Sequence, residues 1–150
     1  MICFLDSSAI VKQYADEQHS SAVRAFEGPH IVSALARVEV AAAFWRKHRM
    51  RQLSLENTAL LCSVFEGDWF DPETTGCSYQ RIEPVEAILE AAVTLAGLHG
   101  LRGYDAIHLA SAAAARREIP ECSAFVAFDH DLRRAAAALG FSIFPDLDRP

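Results

Sequence analysis

The chain has 150 residues, of which 51% are hydrophobic and 23% charged, and a formal net charge of −6. This composition argues against a disordered chain, and no apolar run approaches the roughly 20 residues that span a bilayer. We therefore expect a single domain over residues 1–150 that is soluble and does not enter a membrane. Because the first residues lack the features of a secretory signal, we expect it to be cytoplasmic. The negative charge disfavours a protein that binds nucleic acid mainly by neutralising phosphates.

The first half of the chain alternates two short apolar runs with segments of helical spacing. The predicted strands are ICFL (2–5), which has no polar alternation and suits burial on both faces, and HIVS (30–33). The predicted helices cover about 7–17, 18–27, 34–50 and 54–71. The last two of these helices look like a helical hairpin.

The second half continues the same alternation. The predicted strands are 76–82, 123–128 and 141–144, and the predicted helices are 84–100, 104–118 and 129–139, with a loop at 101–103. Strands that alternate with helices predict an α/β fold with a central, mostly parallel sheet of about five short strands. In such sheets ligands bind in the crevice beyond the carboxyl ends of the strands.

Three aspartates stand where that crevice is expected. Asp6 follows ICFL, Asp129 follows FVAF, and Asp105 directly precedes the helical run AIHLASAAAA. Each has an ordinary explanation as a helix N-cap or first-turn anion, which is worth about 0.5–2 kcal/mol. Taken one at a time, none of them indicates a functional site.

Glu39 is harder to explain in this way. Its helical neighbours at three and four residues are apolar and cannot pair with it: Leu35, Ala36, Ala42 and Ala43. Such a glutamate must raise its pKa, find a cation from elsewhere in the fold or tilt towards solvent. Together with the three aspartates it would form a crowded acidic crevice. An oxygen-only donor set of this kind suits Mg²⁺ or Mn²⁺ better than zinc and indicates metal-assisted phosphoryl chemistry.

Four segments also carry a family resemblance: FLDSSAIVK, the glutamate of ARVEVAAAF, YDAIHLASA and FVAFDHDLRRAA. In this order and spacing the chain resembles the PIN domains, and among them the VapC-type toxin ribonucleases of toxin–antitoxin pairs. The resemblance implies a three-layer α/β/α sandwich and a catalytic, metal-binding quartet of Asp6, Glu39, Asp105 and Asp129. It further implies one or two Mg²⁺ or Mn²⁺ ions, an RNA substrate cleaved to 5′-phosphate and 3′-hydroxyl ends, a cognate antitoxin and a homodimer.

Residues around the quartet have supporting or ambiguous roles. Ser8 is expected to hydrogen-bond a ligand carboxylate or a metal-bound water, and Asp131 either shares the work of Asp129 or is a first-turn helix anion. His108 is expected to be a packed, hydrogen-bonded histidine outside the catalytic set. Family members often carry Thr or Ser where this chain has Ala127, so a supporting hydrogen bond is expected to be missing there.

Other interpretations remain open. Strand–Asp-x-Asp in FVAFDHDLR is also found in haloacid-dehalogenase-like phosphatases, but Arg133 replaces the expected Thr or Val and Glu39 is left unexplained. A non-enzymatic alternative is a module that binds RNA or protein and uses its acids only as caps. The basic stretch RKHRMR (46–51) either complements a helix dipole or guides RNA. Aromatic and leucine residues on the hairpin are expected in the core or in a dimer interface.

Overall fold

The computed structural model describes residues 1–70 and 79–147. In these ranges the strands are β1 (Ile2–Leu5), β2 (His30–Ser33), β3 (Tyr79–Ile82), β4 (Cys122–Val126) and β5 (Ser142–Phe144). The helices are α1 (Ser7–Tyr14), α2 (Ser20–Arg24), α3 (Ala36–Arg49), α4 (Leu55–Phe70), α5 (Glu86–His99), α6 (Gly103–Glu118) and α7 (His130–Ala138).

The five strands form one parallel sheet in the order β3-β2-β1-β4-β5. The central strand β1 pairs with β4 so that Leu5 lies opposite Val126 at their carboxyl ends. Asp6 N–H continues this pairing by donating to the Val126 carbonyl at 3.0 Å. The chain therefore leaves both strands at the same edge of the sheet, which is where parallel α/β proteins bind their ligands.

Alternate residues of the sheet point into two separate cores. Phe4, Ile31 and Phe125 pack with side chains of α5, α6 and α7 on one face. Leu5, Val32 and their neighbours pack with α1 to α4 on the other. Both faces are covered, which explains why the strands read as continuous apolar runs. The predicted three-layer α/β/α arrangement around a five-stranded sheet is confirmed.

The helical hairpin of α3 and α4 supplies much of the second core. Phe44, Phe65 and Trp69 are buried there, whereas Trp45 and Leu60 are exposed. The basic stretch at 46–51 covers the last turn of α3 and the residues after it. Along the described ranges, no helix combines the length and the apolar character needed to cross a membrane.

Several predicted boundaries differ from the structure. The first helix ends at Tyr14 because the next residues turn back: the Lys12 ammonium donates to the Gln18 carbonyl, and the Ser20 hydroxyl donates to the Ala15 carbonyl. Strand β4 covers Cys122–Val126 rather than 123–128, since Phe128 N–H donates to the Ser8 hydroxyl instead of to a neighbouring strand. The predicted strand at 76–82 is described only from Tyr79 onwards, and the helix end predicted at 71 lies outside the described residues.

Candidate functional site

Asp6 caps α1 and at the same time ties two strand ends together. One of its oxygens, Oδ2, accepts from the backbone N–H of Ser8 at 3.0 Å and from the Ser8 hydroxyl at 2.6 Å. The same hydroxyl accepts from Phe128 N–H, just beyond β4, at 3.2 Å. Ser8 therefore orients the carboxylate and anchors the segment that leads to Asp129. The other oxygen of Asp6, Oδ1, lies 3.9 Å from His108 Nε2.

Asp129 and Asp105 lie on the opposite side of this crevice. Asp129 caps α7 by accepting from Leu132 N–H at its Oδ1 atom, at 3.0 Å. Asp105 occupies the first turn of α6. Arg102 connects the two: its Nε donates to Asp105 Oδ2 at 2.9 Å, and its Nη2 donates to Asp129 Oδ2 at 3.2 Å. The capping explanation for Asp129 is therefore correct but uses only one of its two oxygens.

Glu39, in the first turn of α3, obtains its partners from other helices. The Ser7 hydroxyl donates to Glu39 Oε2 at 2.6 Å, and His108 Nε2 makes a short hydrogen bond to the same oxygen. His108 is completely buried, and its Nδ1 atom has no hydrogen-bond partner among the residues described. Because an ionised carboxylate can only accept hydrogen bonds, Nε2–H is the donor of the pair. His108 Nε2 also lies 3.9 Å from Asp6 Oδ1, so one imidazole faces two of the four acids.

The Glu39–His108 pair shifts the pKa of both partners. Burial by itself raises the pKa of Glu39, but hydrogen bonds from His108 and Ser7 and the charge of Arg102 outweigh it, and the net shift is downward. Burial by itself lowers the pKa of His108, but Glu39, Asp6 and Asp105 outweigh it and raise the pKa. The sequence alone left three possibilities for Glu39: its pKa is raised, its side chain pairs with a cation, or its side chain tilts towards solvent. The structure supplies hydrogen-bond partners from other helices, Ser7 and His108.

Asp105 shows that the aspartates interact across the crevice. Its pKa is raised, first by burial and then by the negative charges of Asp6 and Asp129, although Arg102 opposes the shift. Arg102 in turn has its pKa raised by Asp105, Asp129 and Asp6. The predicted quartet is thus brought to one place: Asp6 and Glu39 meet at His108, and Asp105 and Asp129 meet at Arg102.

The four carboxylates are ligands of the type that a hard divalent cation prefers, but their present arrangement is not a complete coordination site. Four carboxylates with no thiolate suit Mg²⁺ or Mn²⁺, and the repulsion felt by Asp105 is what such a cation relieves. Within residues 1–70 and 79–147, however, no three acidic, histidine or cysteine side chains are arranged to hold a metal ion. The carboxylates are paired with Arg102 and His108 instead. The Arg102 side chain is 77% exposed, so it can turn away without unpacking a core.

Two residues near the crevice have clear structural roles. Asp131 sits in the first turn of α7 and its exposed carboxylate pairs with Arg134 at 2.9 Å, as expected for a helix anion. Asp131 also lines the open cleft formed with Arg102, Asp105 and Asp129. Ala127 is buried, and Arg133 donates to its carbonyl at 2.8 Å. The backbone, rather than a hydroxyl side chain, therefore makes the polar contact at that position.

Sequence reasoning missed Arg102 and Ser7. The spacing of Arg102 and Asp105, three residues apart at a helix start, was a local signal for a pair. Its second bond, to Asp129, joins residues 27 apart and has no local signature. Ser7 bonds a residue 32 positions away and was equally hidden.

Comparisons with known proteins add a structural likeness. No family model matches the chain, and no curated protein matches it. A solved structure described as a toxin–antitoxin complex from Klebsiella pneumoniae contains a chain that is similar in fold, with a TM-score of 0.52 and 16% sequence identity. The match covers 85% of this chain and 86% of the other. At this identity the likeness supports the fold alone.

Proposed function

We propose that this protein is the toxin of a toxin–antitoxin pair, a PIN-domain, VapC-type endoribonuclease that uses Mg²⁺ or Mn²⁺. The observation that carries the proposal is that Asp6 and Glu39 both lie beside His108, and Asp105 and Asp129 both pair with Arg102, at the carboxyl edge of a parallel sheet. The toxin role proposed here agrees with the likeness in fold to a chain of a toxin–antitoxin complex.

Asp6 and Asp105 are the central ligands in this proposal, with Asp129 and Glu39 completing the set. A divalent cation bound there makes a water easier to deprotonate and stabilises negative charge on the scissile phosphate. Ser8 holds Asp6 by its Oδ2 atom, which leaves Oδ1 directed into the crevice. Ser7 and His108 hold Glu39 through Oε2, which leaves Oε1 to orient a water or accept its proton.

A cognate antitoxin and a second copy of the chain are the proposed protein partners. The exposed Trp45 and Leu60 on the α3–α4 hairpin offer apolar surface for such contacts. In the basic stretch, Lys47 is held by Glu17, so Arg46, Arg49 and Arg51 are the cations proposed to guide RNA.

The second candidate is a binding module without catalysis. It is favoured by the pairing of all four carboxylates with groups of the protein itself and by the lack, in the described part of the chain, of three side chains arranged as a metal site. Such a module would bind RNA or protein equally well with a metal or with EDTA. The phosphatase alternative has less support, because Asp129, its nucleophile, uses Oδ1 as a helix cap and Oδ2 to accept from Arg102.

Analysis of the cleaved ends tests the proposal. Total cellular RNA is incubated with antitoxin-free protein and Mg²⁺, Mn²⁺ or EDTA, and a preferred fragment is then resynthesised with a 2′-deoxy nucleotide at the cut. The proposal expects metal-dependent cuts with 5′-phosphate and 3′-hydroxyl ends that persist in the deoxy fragment, since water is the nucleophile. Cyclic phosphate ends that require the 2′-hydroxyl, or no cleavage at all, would contradict it.

A further inference from the structure

Arg102 is the cation that spans the acidic crevice. It precedes α6, and its guanidinium joins Asp105 on that helix to Asp129 beyond β4, at 2.9 and 3.2 Å. The side chain is 77% exposed, whereas the Asp105 side chain is only 16% exposed. A solvent-exposed cation thus bonds two carboxylates that belong to different elements of the fold.

The charge of Arg102 acts on all four candidate ligands. It contributes to the lowered pKa of Glu39 and opposes the burial that raises the pKa of Asp105, while Asp105, Asp129 and Asp6 together raise its own pKa. Neighbouring cations are engaged elsewhere: the Lys12 ammonium pairs with Glu17, and the Arg134 guanidinium pairs with Asp131. Among the residues that the structure describes, Arg102 is therefore the guanidinium that pairs with Asp105 and Asp129, while His108 faces Glu39 and Asp6.

An RNA phosphate entering this crevice needs a cation of its own. One divalent ion cannot neutralise four carboxylates, so the phosphate would meet residual negative charge. A guanidinium presents planar, paired N–H donors that match phosphate oxygens in two parallel hydrogen bonds. Because exposed ion pairs are weak, the present bonds to Asp105 and Asp129 are easily exchanged.

We propose that Arg102 is the residue that binds the RNA phosphate at this site, an inference that rests on the proposed function. In the metal-free protein it bridges Asp105 and Asp129. Asp105 and Asp129 would hold a divalent cation, and with these carboxylates so engaged the guanidinium would be free at the rim of the crevice to bind the phosphate next to the scissile bond. Arg102 therefore opposes metal binding in the absence of RNA and favours RNA binding.

The opposite effects of Arg102 on metal binding and on RNA binding provide the test. Arg102→Gln removes the charge, and Arg134→Gln is the matched control, since Arg134 makes a similar exposed pair with Asp131 at 2.9 Å beside the same cleft. Mn²⁺ affinity is measured by calorimetry without RNA. RNA affinity is measured by fluorescence anisotropy with a labelled polyuridine oligonucleotide, in Ca²⁺ to suppress cleavage.

Arg102→Gln is expected to bind Mn²⁺ about threefold tighter and the oligonucleotide about tenfold weaker. The salt dependence of its RNA affinity should fall by the equivalent of about one phosphate contact. Arg134→Gln should change each affinity by less than about twofold. Arg102→Lys keeps the charge without the planar pair of donors and should recover part of the RNA affinity.

Unchanged or weaker Mn²⁺ binding by Arg102→Gln overturns the inference, and so does unchanged RNA binding. Circular dichroism and urea unfolding check that Arg102→Gln is folded, so that weaker Mn²⁺ binding by the folded variant counts against the inference. If the wild-type protein itself binds no Mn²⁺, the proposed metal site fails as well. If wild type binds Mn²⁺ and Arg102→Gln binds it with the same affinity, the inference about Arg102 fails but the proposed metal site stands.

Discussion

His108 on α6 and Glu39 on α3 form a hydrogen-bonded pair across the top of the sheet, although 69 residues separate them in sequence. The pair accounts for a glutamate whose own helix offers it no partner. It also connects the two helical layers at the point where β1 ends, because Ser7 bonds the same carboxylate oxygen. Glu39 is thereby held in place before any ligand arrives.

Replacing His108 should destabilise the protein and release Glu39. His108→Ala leaves a partly buried carboxylate without its main donor and should reduce the free energy of unfolding by about 1–4 kcal/mol. His108→Gln keeps an N–H donor at a similar reach and should recover part of that loss. Urea unfolding of both variants, and of each combined with Glu39→Gln, measures the coupling energy of the pair. Strictly additive losses would contradict a direct interaction.

The same pair predicts a pH window for stability in the metal-free protein. Glu39 has its folded-state pKa lowered from 4.5, so its contribution is present above pH 4.5 and is lost as the pH falls through the lowered pKa. His108 has its pKa raised from 6.5, so its contribution is present below pH 6.5 and is lost as the pH rises through the raised pKa. The difference in unfolding free energy between wild type and the double variant His108→Gln/Glu39→Gln should therefore peak between pH 4.5 and 6.5. A difference that does not vary with pH would show that neither group titrates as described.

Asp6→Asn separates the capping role of Asp6 from its proposed ligand role. Asparagine is as good an N-cap as aspartate, and its amide oxygen still accepts from Ser8 N–H and the Ser8 hydroxyl. Unfolding free energy should therefore change by less than about 1 kcal/mol, whereas Asp6→Ala should lose about 0.5–2 kcal/mol more. Mn²⁺ affinity, measured by calorimetry, should fall at least about tenfold in both variants. Retained Mn²⁺ affinity in Asp6→Asn would remove Asp6 from the ligand set.

Glu17 provides a test of the structure away from the crevice. It pairs with Lys12 of α1 at 2.8 Å and with Lys47 of α3, and these partners lower its pKa against the opposing effect of burial. Glu17→Gln should cost about 0.5–1.5 kcal/mol of unfolding free energy at neutral pH. Because the folded-state pKa is lowered from 4.5, the difference from wild type should shrink as the pH falls below that value. The exposed Glu27→Gln is the control and should change little at any pH.

The sequence predicted those features that depend on local pattern. Apolar runs such as ICFL identified the strands, and the placement of the aspartates that follow β1 and β4 came from the rule that parallel strands end at one edge. The partners of Glu39 and the second bond of Arg102 join residues 27 to 69 positions apart. Only the folded chain brings such residues together. Predicted element boundaries were wrong where a side chain bonds the backbone, as the Ser20 hydroxyl does at the Ala15 carbonyl.

RNA cleavage by the wild-type protein and by Asp6→Asn, each with Mn²⁺ or with EDTA, is the most direct test of the proposed nuclease. Asp16→Asn makes the same change at an exposed carboxylate whose ion pair is with Arg24 rather than with a crevice residue, and serves as the control. The account predicts cleavage by wild type and Asp16→Asn in Mn²⁺, none in EDTA, and none by folded Asp6→Asn. Equal cleavage by wild type and Asp6→Asn, or cleavage that survives EDTA, would contradict it.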